Sequence, residues 1–396
     1  MSTTVSTAPA RLPGVINLMG AAAGLVGANV HYSQPLLPLI ALTMGVSAEF
    51  VSALPAVTQI GFAVGLLIVL PLADMIERKK LVLTTIVIAM IALVGQGLAP
   101  SVGWLLLAGL FVGAASVAPQ VLSPFAAFLA PPGREGQAAG TVLSGILMGV
   151  LLSKVVAGTV AATVSWQALY IAASAVMLVL AFVLWRALPT SQPTEHLRLV
   201  ELLLSPIRML RAYGRLRLHA WLGFLVSAMF MAFWATYAIH LHAEFGWGPF
   251  VAGLFGIAGI AGSLLAPLSG RAVDRGRVLT VFIVSGIAAL VAFLGFGVGG
   301  DFAIILVLGI LLLDGAVGLA HAANQARIFG IDPERRGRLN SVYMFSYFIG
   351  GAFGTATAAA AYATIGWIGV AITGATLAVV ALVTTSVAAR RGMFAD

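Results

Sequence analysis

The sequence predicts an all-α membrane protein with twelve transmembrane helices arranged as two six-helix, pseudo-symmetric halves. Three observations lead there. Of its 396 residues, 61% are hydrophobic and only 9% charged, against roughly 25% charged in a soluble domain. The apolar residues fall in continuous runs, not in the alternating segments of about ten residues that build a membrane barrel. The chain also repeats itself at an offset near 200 residues: "PLADMIERKK", which contains Asp74, matches "LSGRAVDRGR", which contains Asp274. Likewise "PPGREGQAAG" matches "DPERRGRLNS", pairing Gly136 with Gly337. Parallel repeats about an axis along the membrane normal put a binding site between the halves.

A run of about 20 apolar residues crosses a hydrocarbon core of about 30 Å as a helix. Such runs lie near residues 15–40, 47–72, 81–99, 102–130, 138–163 and 166–187, and then near 219–243, 249–270, 278–298, 302–328, 339–363 and 366–389. The halves are thus expected at 1–187 and 219–396, joined by a linker at 188–218. Within that linker Arg208, Arg211 and Arg215 recur at helical spacing around Ile207, Leu210 and Tyr213. This suits either a short amphipathic helix on the cytoplasmic membrane face or a solvated tether. The polar N-terminal stretch precedes a span too long for a signal-peptide core, so an uncleaved start is expected.

Charge sets the orientation. Apart from Lys154, the basic residues fall at the termini, at the ends of even-numbered spans or in the loops after them, as with Arg78, Lys79 and Lys80 or Arg335, Arg336 and Arg338. By the positive-inside rule both termini are cytoplasmic, in the inner membrane of a bacterial cell. The excess of positive charge is a topology signal and implies no nucleic-acid partner. Cysteine is absent, which removes disulfides and thiolate metal sites. No HExxH or GxSxG pattern and no histidine pair with metal spacing occurs, so neither an enzyme nor a cofactor is expected.

The loop after span 2 carries a resemblance. Leu72, Ala73, Asp74, Arg78 and Lys79 are similar to the G-x-L-A-D-R-x-G-R-K pattern of the major facilitator superfamily, with Leu70 and Glu77 in place of glycines and Met75 in place of arginine. The chain resembles the twelve-span bacterial branch that contains drug:proton antiporters and sugar-efflux permeases. In span 5 it departs from the antiporter glycine–proline motif, with Val150 for the proline and Ser153 and Lys154 for the last two glycines. The resemblance implies that Asp74, Arg78, Lys79 and Asp274 form a cytoplasmic conformational gate. It also implies a monomer that moves a small molecule, with protons and membrane lipids as its other partners.

Lys154 and Asp314 are the two formal charges well inside the spans. Lys154 lies seventeen residues past Gln137, and Asp314 thirteen residues from both Asp301 and Arg327, so both sit about 20–25 Å along their helices. A lone charge at that depth costs about 2.5–3.5 kcal/mol. If the two meet they hold each other charged, and separating them favours proton exchange. That is a proton-coupling device in outline. Two other readings stay open: Lys154 snorkels to the interface while Asp314 serves a local hydrogen bond, or one or both bind an ionic substrate.

In the resembling family spans 1, 4, 7 and 10 line the cavity, which makes their polar residues substrate-binding candidates. Span 1 offers Asn29, His31, Tyr32 and Gln34; span 4 offers Gln120. Span 7 offers Trp234 and Tyr237, the latter on a stripe with Phe233, His240 and Glu244; span 10 offers His321, Asn324 and Gln325. Single amides of this kind also serve simple helix packing. The expected activity is secondary active transport of a small organic molecule by alternating access, as proton-coupled efflux. The alternatives are uptake or facilitated transport of a small polar or anionic metabolite, or lipid flipping.

Overall fold

The computed structural model describes residues 12–131, 134–191, 208–263, 275–332 and 335–394. Every regular element among them is helical. Helix α1 (Leu12–Ala28) leads through a 3-10 turn (Gln34–Leu36) to α2 (Leu37–Met44) and the short α3 (Ala48–Val51). Then follow α4 (Ala53–Met75), α5 (Arg78–Gly97), α6 (Val102–Ala115), α7 (Ala118–Leu129), α8 (Glu135–Thr163) and α9 (Trp166–Ala187). After the interval at 192–207 come α10 (Gly214–Trp234), α11 (Tyr237–Phe245), α12 (Pro249–Ser263), α13 (Val278–Gly299), α14 (Ala303–Phe329), α15 (Arg336–Ile365) and α16 (Trp367–Arg390).

Ten stretches among the described residues are long and apolar enough to cross a membrane, two of them passing through a break; Gly14–Ala28, Gln34–Met44 and Pro249–Gly259 are shorter apolar helices. The chain is therefore a multi-pass membrane protein. Two of the twelve expected spans fall outside the ten for different reasons. The eighth runs into residues 264–274, which lie outside the described residues. The first is not one helix.

Where a continuous helix is expected over 15–40, the backbone tightens and turns after Ala28. His31 N–H bonds the Ala28 carbonyl and Gln34 N–H the His31 carbonyl, three residues back instead of four. Pro35 and Pro38 follow, and neither supplies an N–H to a helical ladder. Span 4 breaks similarly: α6 stops at Ala115 and α7 restarts at Ala118 with Pro119 in its first turn. Span 7 breaks between Trp234 and Tyr237, where the Thr236 hydroxyl bonds the Ala232 carbonyl at 2.8 Å in competition with the backbone. Irregular backbone at such depth persists only where protein or a cavity surrounds it.

The early helices pack as α1 on α8, α4 on α6 and α5 on α9; the late ones as α10 on α15 and α13 on both α14 and α16. Early and late helices meet mainly where α8 lies on α12 and α4 on α15. At the second seam Phe62 stacks on Phe348 with ring centroids 3.9 Å apart. Within the expected linker, residues 208–212 are helical with Met209 buried and Arg208 and Arg211 exposed. Arg217 donates to the Leu210 and Arg211 carbonyls at the end of that turn.

Backbone contact sets the α1–α8 distance. A Cβ on Gly149 would overlap the Gly24 carbonyl and Cα, so the helices approach as closely as small residues allow. Gly149→Val should accordingly lower thermal stability by about 1–3 kcal/mol through overpacking. Gly140→Ala on the same helix meets nothing within 4 Å and should be neutral or slightly stabilising, because alanine is the better helix former. Thermal unfolding of the two variants in detergent checks the contrast.

Candidate functional site

The two deep charges are brought together, but through a third side chain. Lys154 is 0% exposed and Asp314 4%, which rules out a lysine that snorkels to the interface. The Lys154 Nζ lies 3.0 Å from the centre of the Trp234 ring and 5.6 Å from that of Phe230. The Trp234 indole Nε1–H donates to Asp314 Oδ1 at 3.0 Å. Lys154 Nζ makes no hydrogen bond of its own. One indole thus binds the ammonium by its face and the carboxylate by its edge, joining α8, α10 and α14.

The energetics fit this arrangement. A desolvated cation–π contact contributes about 2 kcal/mol or more, and a hydrogen bond to a charged group about 1.5–3 kcal/mol. Each is comparable to the insertion cost of the charge it serves. The break after Trp234 also matters, because it ends α10 at the residue that carries the contact. Tyr237, just beyond the break, packs edge-on against Trp234 at 4.8 Å and donates its hydroxyl to the Ala252 carbonyl of α12.

Helix α12 covers the group with glycines. Gly256 faces the Lys154 side chain, with Cβ and Cδ 3.1 and 3.3 Å from where its own Cβ would stand. A Cβ on Gly259 would fall on Asp314 Oδ2 and press the Trp234 ring.

Gln34 is brought to the same region by the break in span 1. The 3-10 turn packs on α8 and α12. Gln34 Nε2 lies 3.3 Å from His31 Nδ1 and donates to Met231 Sδ at 3.5 Å. Met231 stands one helical turn before Trp234, and its sulfur accepts a second amide from Gln59 on α4 at 3.4 Å. Neither Gln59 nor Met231 stands out in the sequence. The available signal was a single amide, Gln59, immediately before the apolar run "IGFAVGLLIVLPL".

Other candidates lie elsewhere. Asn29 donates to Met177 of α9, and Tyr32 is buried in the early-helix core. Asn324 Oδ1 pairs with His219 Nδ1 at 2.8 Å, a histidine not singled out from sequence. His321 Nδ1 shares a 2.8 Å hydrogen bond with the Tyr343 hydroxyl, while Gln325 donates to Met344 Sδ; both, like Gln120, are half-buried. Three members of the expected span 7 stripe, Phe233, Tyr237 and His240, line one small crevice together with Phe255 and Trp367, and Phe233 stacks on Tyr237 at 5.8 Å. Phe233 also stacks on Phe296, and His240, beyond the break, stacks on Trp367 and bonds the Gly300 carbonyl.

At the expected gate, the Arg78 guanidinium lies over Phe125 and Phe128. Lys79 Nζ donates to the Leu188 carbonyl at 2.8 Å, at the C-terminus of α9, where a cation complements the helix dipole. Asp274 and the Asp74 side chain lie outside the described residues.

Gly259→Ala should displace the Asp314 carboxylate and lower the unfolding temperature by several degrees. The same change in an Asp314→Ala background should cost clearly less, since the atom it strikes is gone. Equal costs in both backgrounds would contradict the geometry.

Comparison with known proteins agrees with this architecture. The family model described as Major Facilitator Superfamily matches residues 19–355 and 220–391. The chain is 38% identical over 371 residues to the uncharacterized transporter YgaY of Escherichia coli O157:H7, covering 93% of this chain and 94% of that one. It is 31% identical over 390 residues to the probable transporter SCO4007 of Streptomyces coelicolor, covering 94% and 86%. The solved nucleoside transporter NupG shares the fold with a TM-score of 0.78 at 12% identity, covering 97% of this chain and 100% of that one. A chain of buried, broken helices around a charged centre, with transporters as its relatives, is a transporter and not an enzyme, and it belongs to the Major Facilitator Superfamily.

Proposed function

We propose that the protein is a secondary active transporter that exports a small organic molecule in exchange for protons, by alternating access between two six-helix halves. The halves are residues 1–187 and 219–396, and both termini lie in the cytoplasm. The observation that carries this reading is the Lys154–Trp234–Asp314 group, because it links a cation on an early helix to a carboxylate on a late one.

Rocking the halves about the α8–α12 and α4–α15 seams changes the distance between α8 and α14. When Lys154 moves off the indole, Asp314 loses its nearby positive charge, and the carboxylate then favours taking up a proton. Returning the ammonium expels it. The glycine-lined α12 supports this reading, since it offers the ammonium no side chain to hold it in place. Solute enters the cycle by stabilising the state in which the contact is broken.

The test uses proteoliposomes loaded with a pH-sensitive dye and challenged with a metabolite and drug panel. Wild-type protein should move protons whenever a transported solute is added. Lys154→Ala and Asp314→Asn should lose solute-driven proton movement, and in Asp314→Asn solute exchange without a gradient should continue. Undiminished proton movement in either variant would refute the coupling.

A further inference from the structure

The charge group has a polar companion one helical turn away. Gln34 from the span 1 break and Gln59 from α4 both direct their amides at the Met231 sulfur. They are 0% and 1% exposed, and neither Oε1 has a hydrogen-bond partner. A thioether is a weak acceptor. Whichever way each amide is turned, it leaves one of its two polar ends without a strong partner. Buried amides in native proteins are normally satisfied, so two half-satisfied ones from separate elements, meeting on one flexible side chain, point to a group that is exchanged in use.

The spacing is informative. Met231 and Trp234 are neighbours on one face of α10, with Cβ atoms about 5–6 Å apart. Lys154 Nζ sits on Trp234 with no hydrogen bond, whereas Asp314 is already engaged by the indole N–H and walled by Gly259 and Gly262. The open valence at the centre is therefore cationic, and it lies beside two groups that each offer a donor and an acceptor.

We infer that Lys154, Gln34 and Gln59 form one bipartite subsite for a small organic monoanion that carries a hydroxyl or carboxamide a few carbons from its charge. The anionic group takes the Lys154 ammonium. The hydroxyl or carboxamide displaces the Met231 thioether and satisfies the amides of Gln34 and Gln59. Methionine suits that place because its unbranched side chain moves aside readily. The inference rests on the transporter reading, since it names the kind of solute that this site accepts.

Thermal unfolding of the purified full-length protein in detergent tests it, with four probes at equal concentration. These are 5-hydroxypentanoate, pentanoate, the methyl ester of 5-hydroxypentanoate, and 5-aminopentan-1-ol. The hydroxy acid should raise Tm by about 2–4 °C and by more than any other probe. Gln34→Leu and Gln59→Leu should reduce its effect to that of pentanoate and keep the preference for acid over ester. Lys154→Met should remove the acid preference. Met231→Leu keeps both amides and removes their competing acceptor, so it should enlarge the hydroxyl preference even if a glutamine variant fails to fold. Equal stabilisation by the ester or the amino alcohol would overturn the inference, as would no stabilisation by any probe or an unchanged hydroxyl preference in the glutamine variants. Binding is read without a pH gradient, so a failure of proton coupling leaves this result intact, and a failure here leaves the coupling assay standing.

Discussion

The rest of the structure depends on an indole placed between two buried charges. An ammonium and a carboxylate can share an apolar interior by direct contact, but such a pair is stiff and leaves little to exchange. With Trp234 between them, each charge keeps a partner, while the ammonium makes no hydrogen bond. The ring holds Lys154 without hydrogen bonds, so the ammonium can leave without breaking one. The N–H keeps Asp314 aimed in the meantime.

Two features of the backbone make room for this. Breaks within spans 1, 4 and 7 end helices inside the bundle, which brings Gln34 and Trp234 to the centre. Glycines on α12 let that helix lie directly on the Lys154 stem and the Asp314 carboxylate. Bulk at either place would force the charges apart or expose them to lipid. Close packing and irregular backbone thus serve one end: they keep water and hydrocarbon away from a site that is only partly neutralised.

Much of this was legible in the sequence, and the physical reasons for the rest are specific. Charge in a hydrophobic run is rare, so Lys154 and Asp314 could be identified by depth alone. Trp234 could be placed on a candidate helix but not between the charges, because ring orientation depends on where the helix ends. The stripe read on that helix keeps Phe233, Tyr237 and His240 around one crevice despite the break after Trp234. The prolines at 35 and 38 were visible, yet a sum of apolar residues hid the turn they produce. Gln59 and Met231 escaped notice because an amide and a thioether are common in membrane helices; only their convergence from three elements gives them meaning. The family resemblance read from the loop after span 2 agrees with the whole-chain match to transporters.

The most direct measurement is the coupling energy between Lys154→Ala and Asp314→Asn in thermal stability, obtained once with Trp234 present and once in a Trp234→Leu background. If the indole joins the charges, the coupling between the two substitutions is large with the tryptophan and clearly smaller without it. A coupling of the same size in both backgrounds would mean that the charges act on each other without the ring, and the central claim would be wrong.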